Sequence, residues 1–452
     1  MIPELRKKFN IAFTSEGYVS LLTRLEERCG TRIEFRVAET PIFVSATLLE
    51  SMARDGADLA SDLISNTTYL DAARRAIPNG YRVADETAHP HFLTADFALI
   101  RDRDGELVPR LVEIQAFPSV FGYQATLCAA YREVFGLPDS LGMFLGGLNE
   151  DSYWELLGRT VLGGHAPANV VLTEVDPAHQ KTLPDFNITA ERLGIAVVDI
   201  ANLHPIGSKL HYRNSAGQLV PIHRIYNRAI ADELIARNIQ LPFDLTRSWD
   251  VEWAGHPNWY FLISKFSIPW LSGVDARKPV VPPAVFLSDF LEGSGRAGLI
   301  RAGVPMPDEE GPETLYSELL LKPLFSFAGK GIEFEPTRSQ LEAIPKERRG
   351  DYLVQQRMRF EPTIVTPFGL TQAEIRILYL WPDEGKLTPA LSLVRLGRGK
   401  MMGVDHNKNQ EWVGGSAAFY PEREQNLPVS DANPIDRVTS PITSSKLSCS
   451  RF

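Results

Sequence analysis

The sequence predicts an α/β fold with more than one lobe, and three observations lead there. The chain has 452 residues, more than one ordinary core organises, so two or three lobes are expected. Residues 1–75 carry helical periodicity, whereas 89–130, 168–235 and 350–425 alternate short apolar runs with turns. Hydrophobic residues make up 44% and charged residues 23%, the composition of a globular protein.

Charge and cysteine content narrow the function classes. The net charge of −9 argues against a broad nucleic-acid surface, which needs clustered excess Lys and Arg. It still allows an anionic nucleotide in a local basic pocket. The three cysteines, Cys29, Cys128 and Cys449, are far apart and form no Cys-x-x-Cys pair. A reduced, cytoplasmic location is the simplest expectation. No run approaches membrane-spanning length, and the first residues lack the apolar stretch of a secretion signal. The oligomeric state is open, a homodimer included.

In chain order, Leu21, Leu22 and Leu25 set a helical face beside Arg24, Glu26, Glu27 and Arg28, and Leu48, Leu49, Met52, Leu59 and Leu63 set another. Phe97–Ile100 reads as a strand and Asp102–Gly105 as a hairpin turn. Pro109 interrupts the start of the return strand, which suits a strand entry or an edge rather than a central ladder. It ends in Glu113-Ile-Gln115-Ala-Phe-Pro-Ser119. Glu113 and Gln115 are two apart, so both point to one face of a strand. A carboxylate and an amide oxygen there can hold a hard cation such as Mg²⁺, although a solvent-facing polar pair has the same spacing.

Residues 168–235 read as a compact α/β unit: a strand at Val170–Leu172, a helix within Gln180–Leu193, and a strand at Ile195–Ile200. Arg228 then stands where a strand gives way to a helix. There it could bind a carboxylate in bidentate fashion or form a surface ion pair. Further on, Lys265 sits between apolar residues, either snorkelling from a core or reaching a phosphate.

Leu321–Gly331 carries the strongest nucleotide signal. An apolar run delivers Lys322, then Ser326, Gly329, Lys330 and Gly331 form a small-residue loop, and Ile332 and Phe334 alternate with Glu333 and Glu335 as in a strand. Glycine lets backbone N–H groups approach a phosphate chain, and lysine neutralises its charge. An ordinary glycine-turn hairpin is the competing explanation.

The densest constellation lies in 350–425. Tyr352–Gln356 is a strand ending in two amides, Gln355 and Gln356, a place where a purine edge can meet backbone groups. Glu374 and Arg376 share one face of the next strand. Arg395 alternates with Leu391 and Leu393, and Asp405, Asn407, Lys408 and Asn409 precede Gly414 and Gly415. That is too many polar groups for a core, and it suggests a site for an anionic, metal-bound ligand.

Taken together, these stretches resemble the ATP-grasp enzymes. The usual C-terminal Glu-x-Asn metal motif is missing after Gly415, and Glu113-Ile-Gln115 near the other end is its best match. That order resembles the circularly permuted branch, which includes eukaryotic glutathione synthetase and, more loosely, glutathionylspermidine synthetase. The resemblance implies a permuted ATP-grasp fold with an inserted α/β substrate-binding domain. Residues 1–165 would be a helical region plus the permuted metal-binding strands, 166–235 the substrate domain, 236–425 the nucleotide lobes with a glycine-rich lid, and 426–452 a disordered tail. That tail is Ser-, Pro- and Asn-rich without periodicity.

The implied activity is ATP-dependent joining of a carboxylate to an amine through an acyl phosphate. ATP and Mg²⁺ would be cofactors, and the substrates would be amino acids, peptides or polyamines. Carried over by resemblance, Lys265, Lys322, Ser326, Gly329, Lys330, Gly331, Gln355 and Gln356 bind the nucleotide. Glu113, Gln115 and Glu374 hold the metal. Arg376, Arg395 and Asn409 act at the phosphate and acyl phosphate. Arg228, Ser119, Gly414 and Gly415 meet the substrate. Two departures stand out: Gln115 replaces the family's asparagine, and the glycine-rich loop lacks the acid found there, leaving Glu374 to supply it. The rival readings are a small-molecule kinase on the same fold, a nucleotide-binding protein without turnover and, more remotely, a zinc enzyme built on His89-Pro-His91.

Overall fold

A computed structural model describes residues 1–272, 279–308, 311–325, 331–400, 402 and 409–422. The expected sites Ser326, Gly329 and Lys330, the residues Asp405, Asn407 and Lys408, and the 426–452 tail fall outside the described residues. The fold is mixed α/β with several sheets.

Its central sheet has six antiparallel strands and draws on both ends of the chain. Five run in the order Gly414–Ser416, Thr388–Gly397, Gly369–Leu380, Phe92–Arg101, Leu107–Gln115, and Ile364–Thr366 pairs onto the start of Gly369–Leu380. Phe92–Arg101 can lie in the middle because both of its faces are buried. Leu93, Ala95, Phe97 and Leu99 pack with Ile375, Ile377 and Tyr379 against Leu49, Met52, Leu59 and Leu63 of the helix Ala46–Ser65. On the opposite face, Phe92, Leu378, Leu380 and Leu391 pack against Phe121, Ala125 and Cys128 of the helix Phe121–Phe135.

The strand with Pro109 is the outer one, one of the two placements its proline allowed. Its free edge is covered by a later segment: Leu111 N–H donates to the Val280 carbonyl at 2.7 Å, and Ala116 N–H to that of Ile263 at 3.0 Å. The early acidic strand is thereby bound to the lobe that follows it.

That lobe holds a four-stranded antiparallel sheet in the order Ala284–Phe286, Tyr352–Gln356, Leu319–Pro323, Glu333–Phe334. Leu319, Leu321 and Val354 face Phe290 and Leu299 on flanking helices. The strand expected from Ile332 to Glu335 narrows to Glu333–Phe334. Glu335 has φ of 56°, a left-handed turn that ends the extended run.

The α/β unit is a parallel sheet in the order Glu252–Ala254, Arg224–Asn227, Val170–Glu174, Ala196–Asp199. It extends past the expected boundary at residue 235. Arg224–Asn227 is buried throughout, so it takes a neighbour on both sides, and Glu252–Ala254 is too short to show a strand period. The helix in this unit spans Leu183–Leu193. The helical reading of residues 1–75 corresponds to helices at Pro3–Ala12, Ser15–Cys29, Ala46–Ser65 and Thr67–Arg75. Among the described residues, no helix is long and apolar enough to cross a membrane, and Cys29 and Cys128 are buried free thiols.

Candidate active site

The register of the central sheet gathers its charged residues on one face. Arg395 lies opposite Glu374, Arg376 opposite Asp96, and Asp96 opposite Glu113. Side chains alternate faces along each strand, so these five and Gln115 point the same way. Asp96 is the hub. It accepts from Arg376 through Nε at 2.5 Å and Nη2 at 2.6 Å, and from Arg395 Nη2 at 2.8 Å. Arg395 Nη1 is 2.9 Å from Glu374 Oε1, and Arg376 Nη2 is 3.7 Å from Glu113 Oε1. Gln115 Nε2 donates to Glu113 Oε1.

Two lysines reach this face from the following lobe. Lys265 Nζ lies 3.4 Å from Glu113 Oε2. Lys322 Nζ donates to the Val112 carbonyl at 3.2 Å. Lys322 is buried on the face of its sheet opposite Leu319 and Leu321, which line the helix-packed side, and that face meets the strand carrying Glu113. The site thus brings four cations against the carboxylates Asp96, Glu113 and Glu374.

The electrostatics follow from that excess. Burial by itself would raise the Glu113 carboxyl, but Lys265, Arg376, Arg395 and Lys322 together bring it down to about 2. Burial raises Glu374 to about 7; Arg395 opposes the rise, and Asp96 and Glu113 add to it. Burial lowers Lys322 to about 8, with Glu113 holding it up and Lys265 pushing it down. Arg395 is raised: burial works against its charge, and Glu374, Asp96 and Glu113 outweigh that.

Lys322 and Gln355 share a face of the second sheet, since Lys322 lies opposite Leu353 and Leu320 opposite Gln355. The Gln355 amide is fully buried, and neither its Nε2 nor its Oε1 has a hydrogen-bond partner among the described residues. Burying a polar group without a partner costs about 1–3 kcal/mol, and here both ends of one amide carry that cost. The polar edge of a ligand would satisfy them. Two backbone N–H groups of this segment, where the sequence suggested that a purine edge could meet the backbone, are engaged within the protein. Gln356 N–H donates to the Pro283 carbonyl at 2.8 Å, and Arg357 N–H to that of Glu318 at 2.7 Å.

The expected substrate residues divide into two groups. Ser119 borders the cluster: its Oγ is 3.3 Å from Arg376 Nη1, and its carbonyl accepts from Arg228 Nη1. Arg228 is buried and also donates to Asp185 Oδ2 at 2.8 Å, with Phe117 and Phe186 beneath the guanidinium. It braces Ser119, with its charge committed to Asp185. Gly414 and Gly415 lie against another backbone segment. Segment Arg36–Ala38 runs alongside them, with Gly415 N–H to the Arg36 carbonyl and Ala38 N–H to the Gly415 carbonyl, both 2.8 Å. Asn409 is exposed with φ of 71°, and Gly331 is exposed with φ of 75°.

Sequence reasoning missed Asp96 and Asp185. Asp96 is signalled only by being the one acid in the run Phe92–Ile100, which is otherwise apolar except for Thr94. Asp185 carries no comparable signal, because a polar residue in a helix is ordinary. The His89–His91 pair is used otherwise than for metal: His91 Nε2 is 2.7 Å from Asp383 Oδ1, and His89 stacks on Trp381 at 4.1 Å. Among the described residues, no three His, Cys, Asp or Glu side chains form a metal-holding group.

No protein-family model matches the sequence, and no curated protein matches it either. Solved structures do. A glutathione synthetase-like effector from Globodera pallida, in its apo form, superposes with a TM-score of 0.52 at 13% identity, covering 93% of this chain and 98% of that one. A candidate γ-glutamylcysteine synthetase from Methylobacillus flagellatus KT gives a TM-score of 0.35 at 12% identity, over 84% and 89% of the two chains. The first likeness shows that the chain shares its overall fold with a glutathione synthetase-like protein.

Proposed function

We propose that the chain is an ATP- and Mg²⁺-dependent ligase, joining a carboxylate to an amine through an acyl phosphate on a circularly permuted ATP-grasp fold. The observation that carries this reading is the convergence of Lys265 and Lys322 on the strand that bears Glu113, from a lobe more than a hundred residues later in the chain. Lysines are held in register with buried carboxylates here, in a place where the sheet face needs no charge for its own packing.

The residues fit the two groups. Four cations against three carboxylates favour a polyanion, and the open Gln355 amide suits the polar edge of a base. Mg²⁺ commonly takes one or two protein carboxylates and completes its shell from phosphate and water. Glu113, with Gln115 beside it and Glu374 on the same face, supplies that number of donors. Bound ATP and Mg²⁺ supply a transferable phosphoryl group and neutralisation of its charge.

The chain's own contribution is positioning and charge. Lys265 and Lys322 exchange a protein carbonyl or carboxylate for phosphate oxygens. Arg376 and Arg395, held in place by Asp96, face the charge that develops on the activated carboxylate. Ser119 orients the substrate, and Arg228 orients Ser119. The test is release of ADP and phosphate by the purified chain with Mg-ATP, assayed across amino acids, short peptides and polyamines. Release that depends on both an acid and an amine, with a new amide in the products, supports the ligase. A stable phosphoester without an amide replaces it with a kinase.

A further inference from the structure

Residues 409–413 lead into the outer strand Gly414–Ser416, where Gly415 lies opposite Arg395 of the charged face. Two of them hold a backbone conformation that most residues avoid: Asn409 has φ of 71° and Trp412 has φ of 58°. Asparagine visits the left-handed region through its short polar side chain, but for a bulky residue that region means strain. Such strain persists only where the surroundings impose it, and it gathers at functional sites.

The surroundings here are charged side chains that bind backbone groups. Glu39 is buried, and its Oε2 accepts from Trp412 N–H at 2.7 Å. Its Oε1 accepts from Arg36 Nη2. Arg36 Nε donates in turn to the Gln410 carbonyl at 3.3 Å, and the Arg36 carbonyl accepts from Gly415 N–H at 2.8 Å. From the other side, Arg398 Nη2 donates to the Glu411 carbonyl at 2.7 Å. Gln410, Glu411 and Trp412 thus each give a backbone group to a charged side chain. Hydrogen bonds to ionised groups are the strong ones. The Trp412 ring is buried against Phe13, with centroids 4.6 Å apart, so this residue is fixed at its ring and at its N–H.

We infer that Glu39 and Arg36 are positioning residues of the active site. They hold residues 410–412 in the strained form and thereby set where Asn409 stands. The catalytic consequence rests on the ligase reading, in which Asn409 acts at the acyl phosphate by resemblance; the anchoring of the turn does not.

The test compares Glu39→Ala, Glu39→Gln, Asn409→Ala and the double variant Glu39→Ala/Asn409→Ala, each in the full chain. Hydrogen exchange is followed across residues 409–416. Phosphate release from Mg-ATP is followed with the acid and amine that give most release in the panel of amino acids, short peptides and polyamines. Glu39→Ala should speed exchange of the Trp412 amide at least about 10-fold. It should lower kcat at least about 10-fold and leave KM for Mg-ATP within about 3-fold, because Lys265 and Lys322 hold the nucleotide from another lobe. Glu39→Gln keeps an oxygen for Trp412 N–H and should retain at least about one third of the parent kcat. The double variant should be no slower than Asn409→Ala, since residues that act through one another do not add. Unchanged Trp412 exchange in folded Glu39→Ala overturns the inference. So do additive losses in the double variant, or a loss in Glu39→Gln equal to that in Glu39→Ala. Faster Trp412 exchange in a chain that releases no phosphate with any pair would leave the anchor standing and remove the ligase. Amide formation by the parent with kcat unchanged in Glu39→Ala would do the reverse.

Discussion

Asp96 and Arg376 face each other across neighbouring strands as a two-pronged pair, with both carboxylate oxygens engaged by one guanidinium. The planar fork of arginine matches a carboxylate in this way and fixes its own orientation in doing so. Asp96 thereby sets the position of the cation that the proposed chemistry places nearest Ser119.

Replacing Asp96 should therefore damage stability and not only activity. Asp96→Ala leaves Arg376 and Arg395 without their shared partner on a largely buried face, a change expected to cost about 3–5 kcal/mol. Denaturant unfolding of the variant against the parent measures this. A loss under about 1 kcal/mol would show that the arginines find solvent or other acids easily.

Lys322 predicts a pH dependence of nucleotide binding. Burial, aided by Lys265, lowers its ammonium to about 8 against the pull of Glu113. Only the protonated form attracts phosphate. Affinity of the free protein for Mg-ATP should thus fall as pH rises through about 8, and Lys322→Ala should abolish binding. Calorimetry on both sides of that pH reads the first effect, and a single titration of the variant reads the second. Unchanged affinity in Lys322→Ala would remove this strand from the site.

Glu174 predicts a pH dependence of stability. It ends a buried strand and is raised to about 8, chiefly by burial, with Arg228 opposing. A carboxyl whose folded pKa exceeds its unfolded value of 4.5 contributes stability that is full below 4.5 and lost as pH rises through about 8. Each unit corresponds to about 1.4 kcal/mol, so the loss amounts to a few kcal/mol at most. Glu174→Gln can still accept from Val175 N–H, as Glu174 Oε1 does at 2.8 Å. Across that pH range the variant should show a flatter unfolding free energy than the parent, and an equally steep curve would contradict the assignment.

Gly414 separates a packing role from a ligand role. It has φ of 120°, and an added Cβ would stand 2.4 Å from the Arg36 carbonyl oxygen. At Gly415 the corresponding distance is 3.7 Å. Gly414→Ala should cost at least about 1–3 kcal/mol from backbone conformation alone, and Gly415→Ala much less. Thermal unfolding distinguishes them. A Gly414→Ala variant with parental stability but weakened substrate binding would return this glycine to the substrate site.

The amino-acid sequence by itself determined the local elements and the residue types of the site. Alternation placed Glu374 with Arg376 and Glu113 with Gln115 on strand faces, proline marked Leu107–Gln115 as either an edge or a strand entry, and an apolar run located Lys322. These signals are local because strand periodicity acts between residues two apart. Only the tertiary structure decided which strands are neighbours. Pairing Phe92–Arg101 with Gly369–Leu380 made an inconspicuous acid, Asp96, the partner of two arginines, and docking of the Ile263 segment on the neighbouring strand edge brought Lys265 to Glu113. It also turned Arg228 inward to Asp185 and gave Gly414 a backbone neighbour. Such outcomes depend on the burial of particular side chains against distant ones, and a desolvated charge takes whichever opposite charge the packing brings to it.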